Sequence, residues 1–314
     1  MLESRASHHR YLNPGVLARI TSLELRARLI VEGYYTGMHR SPYRGLSIEY
    51  ADHRQYVQGD DIRHIDWKVF GRTDKYYIKE YEQETNLDCL LVVDVSESMG
   101  FQSPEAPMSK RDYAISLAAA LSYLALQQGD AVGLALFDQS VVQFVRPSSS
   151  STHWKTIIQE LAGHPGKAKT SMGPVMDELA ERLARRMLVF LVSDFFDAPQ
   201  NVLHGLRRLR YQRHEVVACH LWDRLELTFN LSGPTLFDGL EGSGKLLTEP
   251  RALRERYLKE VEKFRTHLQA GCARMLVDYV TFDTSTPMDV GLSAYLSSRA
   301  SRMRQRSARA PGRG

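Results

Sequence analysis

Cysteine is scarce. Cys89, Cys219 and Cys272 are the three present in 314 residues, and they lie far apart. That spacing excludes a disulfide frame and a thiolate zinc site. Two of the three sit in apolar or strand-like runs and read as small buried hydrophobes in a reducing compartment. Long apolar runs are missing as well, and the N-terminal residues lack the apolar core of a signal peptide. The expectation is a cytoplasmic protein without a membrane span. Acids are absent from residues 297–314, which hold Arg299, Arg302, Arg304, Arg306, Arg309 and Arg313. The formal charge of +4 would be −2 without those six arginines, so the body is slightly acidic and the basicity belongs to the tail. A tail of this composition, short of aromatics, predicts disorder and weak, salt-sensitive contact with polyanions; specific nucleic-acid recognition is the alternative.

What is present describes a globular chain. Hydrophobic residues make up 43% and charged residues 25%, enough to bury a sizeable core in one large domain with additions, or in two. A helix is expected over about 14–30. From Gly33 the character changes, with a strand at Leu46–Tyr50 and the dense block Gly59-Asp60-Asp61-Ile62-Arg63-His64-Ile65-Asp66-Trp67. That block reads as a charged clamp pinned by apolar side chains, with a direct functional site as the other reading. A strand at Tyr76–Tyr81 follows. Strands at 90–94, 131–137, 187–192, 215–221 and 275–282 then alternate with helices at 110–128, 174–186, 201–211 and 251–271. Val141–Val145 reads as a hairpin partner at the sheet edge, Trp154–Leu161 as a short helix, and 289–299 as a last helical stretch. Residues 223–250 interrupt the alternation, and the spacing of Leu225, Leu227 and Phe229 predicts a small β excursion. Strands alternating with helices predict an α/β fold with a doubly wound, mostly parallel sheet of Rossmann type. The domain plan is an N-terminal β-containing extension over 1–85, an α/β domain over 86–296 with its β insertion, and the tail from 297 to 314.

The chemistry gathers at Leu90-Leu91-Val92-Val93-Asp94-Val95-Ser96-Glu97-Ser98-Met99-Gly100. A short β-branched run of this kind is a strand buried on both faces, and it stops at a carboxylate. Open α/β sheets bind ligands beyond the carboxyl ends of their strands. Asp94, Ser96 and Ser98 stand there and offer only oxygen, which suits a hard cation such as Mg²⁺. A strand followed by a serine-rich turn explains the same string without an ion. A sheet of order 3-2-1-4-5-6 would set the first and fourth strands of the repeat side by side, bringing Asp194 to Asp94. Thr170, in the loop ahead of the helix that feeds the fourth strand, reaches the same end. Two carboxylates and three hydroxyls balance a divalent cation and leave it electrophilic.

This set resembles the metal-ion-dependent adhesion site of von Willebrand factor A-like domains, with Asp94, Ser96, Ser98, Thr170 and Asp194 at the motif positions. The Gly59–Trp67 block with Arg72, together with Gly233–Phe237 and Asp278–Thr284, resembles the bacterial "domain of unknown function fifty-eight" family. The likeness spans about residues 40–300. It implies a von Willebrand factor A-like fold and a Mg²⁺-dependent protein-interaction module without catalytic residues. It also implies a protein partner that supplies an acidic ligand, either a MoxR-type AAA+ ATPase or that ATPase's client, in the assembly or maturation of protein complexes.

Two enzymatic readings lack parts. A haloacid-dehalogenase-like phosphohydrolase using Asp94 as nucleophile would need a second Asp two residues on, where this chain has Ser96. Gly239-Leu240-Glu241-Gly242-Ser243-Gly244-Lys245 nearly spells a phosphate-binding loop, but Leu246 stands where a Ser or Thr should hold Mg²⁺, so a hairpin turn is expected.

Overall fold

A computed structural model describes residues 14–40, 53–56, 70–71, 75–79, 88–150, 152–164, 169–238, 244–293 and 295–296. The chain divides into two units, one built from the segments up to Arg40 and from Leu87 onward, the other from Ser41–Asn86. The expected 1–85 extension is therefore divided at Arg40.

The larger unit begins with α1 (Pro14–Leu17) and α2 (Leu23–Arg40), where one helix over 14–30 was expected. The break falls at Ser22, whose hydroxyl accepts from the Leu25 N–H at 3.3 Å, as a helix-starting serine does. α2 continues past Gly33 because Ala27, Ile30, Val31 and Tyr34 keep a buried stripe at helical spacing.

The central sheet has six strands: β3 (Cys89–Asp94), β4 (Val132–Phe137), β5 (Val141–Ser148), β6 (Leu188–Ser193), β7 (Glu215–Trp222) and β10 (Asp278–Asp283). Their order across the sheet is β10-β7-β6-β3-β4-β5. All neighbours are parallel except β4 and the edge strand β5, which pair antiparallel. In order of appearance this is 3-2-1-4-5-6, the arrangement expected from the alternation. β3 is buried along its whole length. Leu91 and Val93 face one core with α2, α3 (Lys110–Gln127) and α4 (His153–Gly163). Leu90 and Val92 face the other, with α5 (Met172–Arg182) and α6 (Pro199–Tyr211). Two-sided burial is why the strand reads as an unbroken apolar run. Cys89, Cys219 and Cys272 are all buried, and none forms a disulfide. No helix among the described residues is long and apolar enough to cross a membrane.

The stretch after β7 departs from expectation at its start. Leu225 and Leu227 lie in a short helix, α7 (Arg224–Thr228), not in a strand. Asp223 and Glu226 form a capping box there, and that local pair outweighs the alternating pattern. The β excursion follows as an antiparallel ribbon of β8 (Thr235–Asp238) and β9 (Lys245–Thr248). Asp238 pairs with Lys245 across the ribbon, and residues 239–243, where a hairpin turn was expected, lie outside the described residues. α8 (Pro250–Arg274) then leads to β10, and residues 288–293 are helical.

In the smaller unit, β1 (His53–Gln55) pairs antiparallel with β2 (Tyr77–Lys79), and the ring of Phe70 stacks on Tyr76 at 4.5 Å. The strand expected at Leu46–Tyr50, the Gly59–Trp67 block, Arg72 and the arginine tail lie outside the described residues.

Candidate metal centre

β3 and β6 lie side by side in register, and the chain leaves β3 toward one edge of the sheet and returns to β6 on the other side. That is the switch point where ligands bind in such sheets. Asp94 ends β3 and is fully buried. Its Oδ1 accepts from the Ser96 N–H at 2.9 Å, and its Oδ2 accepts from the Ser193 hydroxyl at 2.6 Å across the β3–β6 junction. Thr170, just ahead of α5, donates its hydroxyl to the same Oδ2 at 3.5 Å. The Ser96 and Ser98 hydroxyls lie 3.2 Å apart, and Ser98 is close enough to Asp194 to help lower its carboxyl. Asp194 Oδ1 in turn accepts from the Phe196 N–H at 3.1 Å. All five residues singled out in the sequence thus stand in one connected cluster, four of them buried and Thr170 half-buried.

The loops that carry them are clamped together. Asp197 Oδ2 accepts from the Met172 N–H at 3.0 Å, tying the loop after β6 to the first residue of α5. Phe195 is held at φ 52°, a left-handed conformation uncommon for a bulky side chain. Its ring is buried edge-on against His220, while Phe196 is turned out to solvent, 65% exposed.

Sequence reasoning missed a buried cation. Lys110, the first residue of α3, sends its Nζ to Asp194 Oδ2 at 2.7 Å and to Glu226 Oε1 at 2.8 Å. The Glu226 carboxylate is placed by the α7 capping box, whose Asp223 also accepts from the Ser103 N–H at 2.9 Å. One signal was legible: a lysine at the first position of a helix opposes the macrodipole and calls for a nearby acid.

The charges act on one another. Burial and the nearby Asp194 push the Asp94 carboxyl up to about 7, against the hydrogen bonds from Ser193 and Ser96. Burial works in the same upward direction on Asp194, but the Lys110 ammonium outweighs it and holds that carboxyl below its ordinary range. Burial raises Glu226 despite its pairing with Lys110. Burial by itself would lower Lys110, yet Asp194 and Glu226 together raise it, so the ammonium stays charged.

The donor set fits a hard divalent cation. Its donors are all oxygen, and Asp94 is a buried carboxylate that is destabilised as an anion until a positive charge joins it. For phosphohydrolysis with Asp94 as nucleophile the set lacks a second carboxylate two residues on. Ser96 stands two residues after Asp94, and Asp194 is bound to Lys110.

A family described as "Protein of unknown function DUF58" matches residues 52–267. The uncharacterised protein Rv1480 of Mycobacterium tuberculosis (strain ATCC 25618 / H37Rv) is 26% identical over 276 residues, 86% of each chain. Uncharacterised protein Mb1516 of Mycobacterium bovis matches to the same extent, 26% identical over 276 residues. Among solved structures, the conserved hypothetical protein BatB from Bacteroides thetaiotaomicron aligns with 68% of this chain and 99% of its own, at 16% identity and a TM-score of 0.43. The SpRpn10 VWA domain aligns with 66% of this chain and 93% of its own, at 11% identity and a TM-score of 0.37.

Proposed function

The chain belongs to the DUF58 family, and from that membership and the oxygen cluster we propose that it is a divalent-cation-dependent protein-interaction module rather than an enzyme. The observation that carries the reading is the convergence of Asp94, Ser96, Ser98, Thr170 and Asp194, drawn from three distant segments, at the switch point of the sheet. These residues would hold Mg²⁺ between them, directly or through a hydrogen-bonded neighbour, and their oxygens meet its preference. The ion would supply a positive centre that accepts one further carboxylate. The chain's own residues do the rest: the Ser96 N–H and the Ser193 hydroxyl orient Asp94, and Asp197 fixes the two loops.

The partner is a protein that presents an acidic side chain. A MoxR-type AAA+ ATPase, or the client that it matures, is the candidate, and this assignment rests on the family resemblance alone. A cytoplasmic site of action belongs to the same proposal, in keeping with three buried cysteines that form no disulfide. Phosphohydrolysis through Asp94 is the weaker reading, because Ser96 stands where the second Asp of such a site would be and the neighbouring carboxylate, Asp194, is bound to Lys110. Incubation with generic phosphoesters and Mg²⁺ should give no turnover.

Co-precipitation with a MoxR-type ATPase from the same organism tests the interaction. Wild type should capture the ATPase in Mg²⁺ and lose it in chelator, and Asp94→Ala should fail to capture it while keeping its circular dichroism. Equal capture by both forms would count against a metal-mediated contact.

A further inference from the structure

Lys110 sits where a cation is costly. It is 2% exposed, and it stands at the positive end of α3, where the helix dipole repels it. Its ammonium is held by Asp194 and Glu226 on two sides and lies 5.6 Å from the centre of the Phe101 ring. The effect on Asp194 is specific: one oxygen is taken by Lys110 and the other by the Phe196 N–H. Asp94 differs in kind, because its partners are a neutral amide and neutral hydroxyls, none of which offsets its charge.

We propose that Lys110 is a positioning residue that holds Asp194 out of direct contact with the ion. One carboxylate, Asp94, and neutral hydroxyls then meet the ion directly, and Asp194 acts through Ser98 or a water. The ion is left short of negative charge, so it is bound loosely until an acidic group arrives from outside. Glu226 anchors Lys110 from the far side, which makes α7 part of the site. This inference rests on the metal-dependent reading above.

Mn²⁺ is the probe. Electron paramagnetic resonance of free Mn²⁺ gives affinity, and water proton relaxation counts the waters on the bound ion. Lys110→Met should bind Mn²⁺ at least about tenfold more tightly, because a neighbouring positive charge is gone. It should also carry at least one water fewer, because Asp194 joins the ion. Glu226→Gln leaves the ammonium on Asp194, so it should weaken Mn²⁺ binding with the water count unchanged. Should Lys110→Met fail to fold, the double variant Lys110→Met with Glu226→Gln removes the second acid that the ammonium neutralises, and its water count should likewise fall. Wild-type affinity and water count in the lysine variants would overturn the inference, as would tighter binding with no loss of water. Absence of Mn²⁺ binding by wild type is a different failure: it would sink the metal-dependent reading itself.

Discussion

Asp94 shows how much one residue's surroundings decide. Its carboxyl is raised from 3.8 to about 7 by burial and by Asp194. A carboxyl raised on folding contributes stability that is complete below the unfolded pKa and is lost as pH rises through the folded one. In metal-free protein, stability should therefore fall between about pH 4 and pH 7 on this residue's account. Asp94→Asn keeps an oxygen for the Ser96 N–H and carries no charge. It should be more stable than wild type at pH 8, by on the order of 2 kcal/mol, with the gain vanishing toward pH 4. Urea unfolding at the two pH values in chelator checks this, and an unchanged difference would contradict it. Asp94, Asp194 and the two serines were legible in the sequence because an apolar strand ending in oxygen donors is a local pattern, and Thr170 followed from its place ahead of the helix that feeds the fourth strand. The pairing of Lys110 with Glu226 was not, because it spans 116 residues and depends on where α7 folds.

Elements obeyed local rules where those rules were strong. The helix break at Ser22 comes from one polar side chain and the α7 capping box from two, Asp223 and Glu226. The alternation of Leu225, Leu227 and Phe229 pointed to a strand, but Asp223 satisfies the Leu225 N–H at 2.8 Å and Glu226 reaches back to the Asp223 N–H at 2.8 Å. Asp223 is also fully buried and holds Ser103, so Asp223→Ala should cost about 2–3 kcal/mol, read as a lower urea midpoint. Packing can also override propensity. A Cβ added at Gly205 in α6 would lie 2.6 Å from Met176 Cγ and 2.9 Å from Met176 Cβ in α5. Helix propensity favours alanine there by about 1 kcal/mol, whereas overpacking costs about 1–3 kcal/mol. Gly205→Ala should be net destabilising, with its urea midpoint lowered and its denaturant slope unchanged.

At the scale of the whole molecule, charge and topology separate cleanly. The six tail arginines turn a body of −2 into a chain of +4. Deleting residues 298–314 should abolish retention on an anionic column at low salt, while the full chain is retained and released as salt rises. Retention that survives the deletion would place the basic surface elsewhere. The sheet order was readable because the inner strands β3, β4, β6 and β7 are apolar on both faces and a helix separates most of the strands. A parallel crossover is then the arrangement that buries them.

From the sequence by itself came the alternation of strands and helices, the oxygen-rich end of β3 and the basic tail, since each is a pattern of neighbouring residues. Only the tertiary structure decided that α2 packs with the large unit and that Ser193 meets Asp94. It alone decided, too, that Asp194 and Glu226 share the Lys110 ammonium. Those contacts join segments tens of residues apart, and their energies exist only once water has been removed from between the charges.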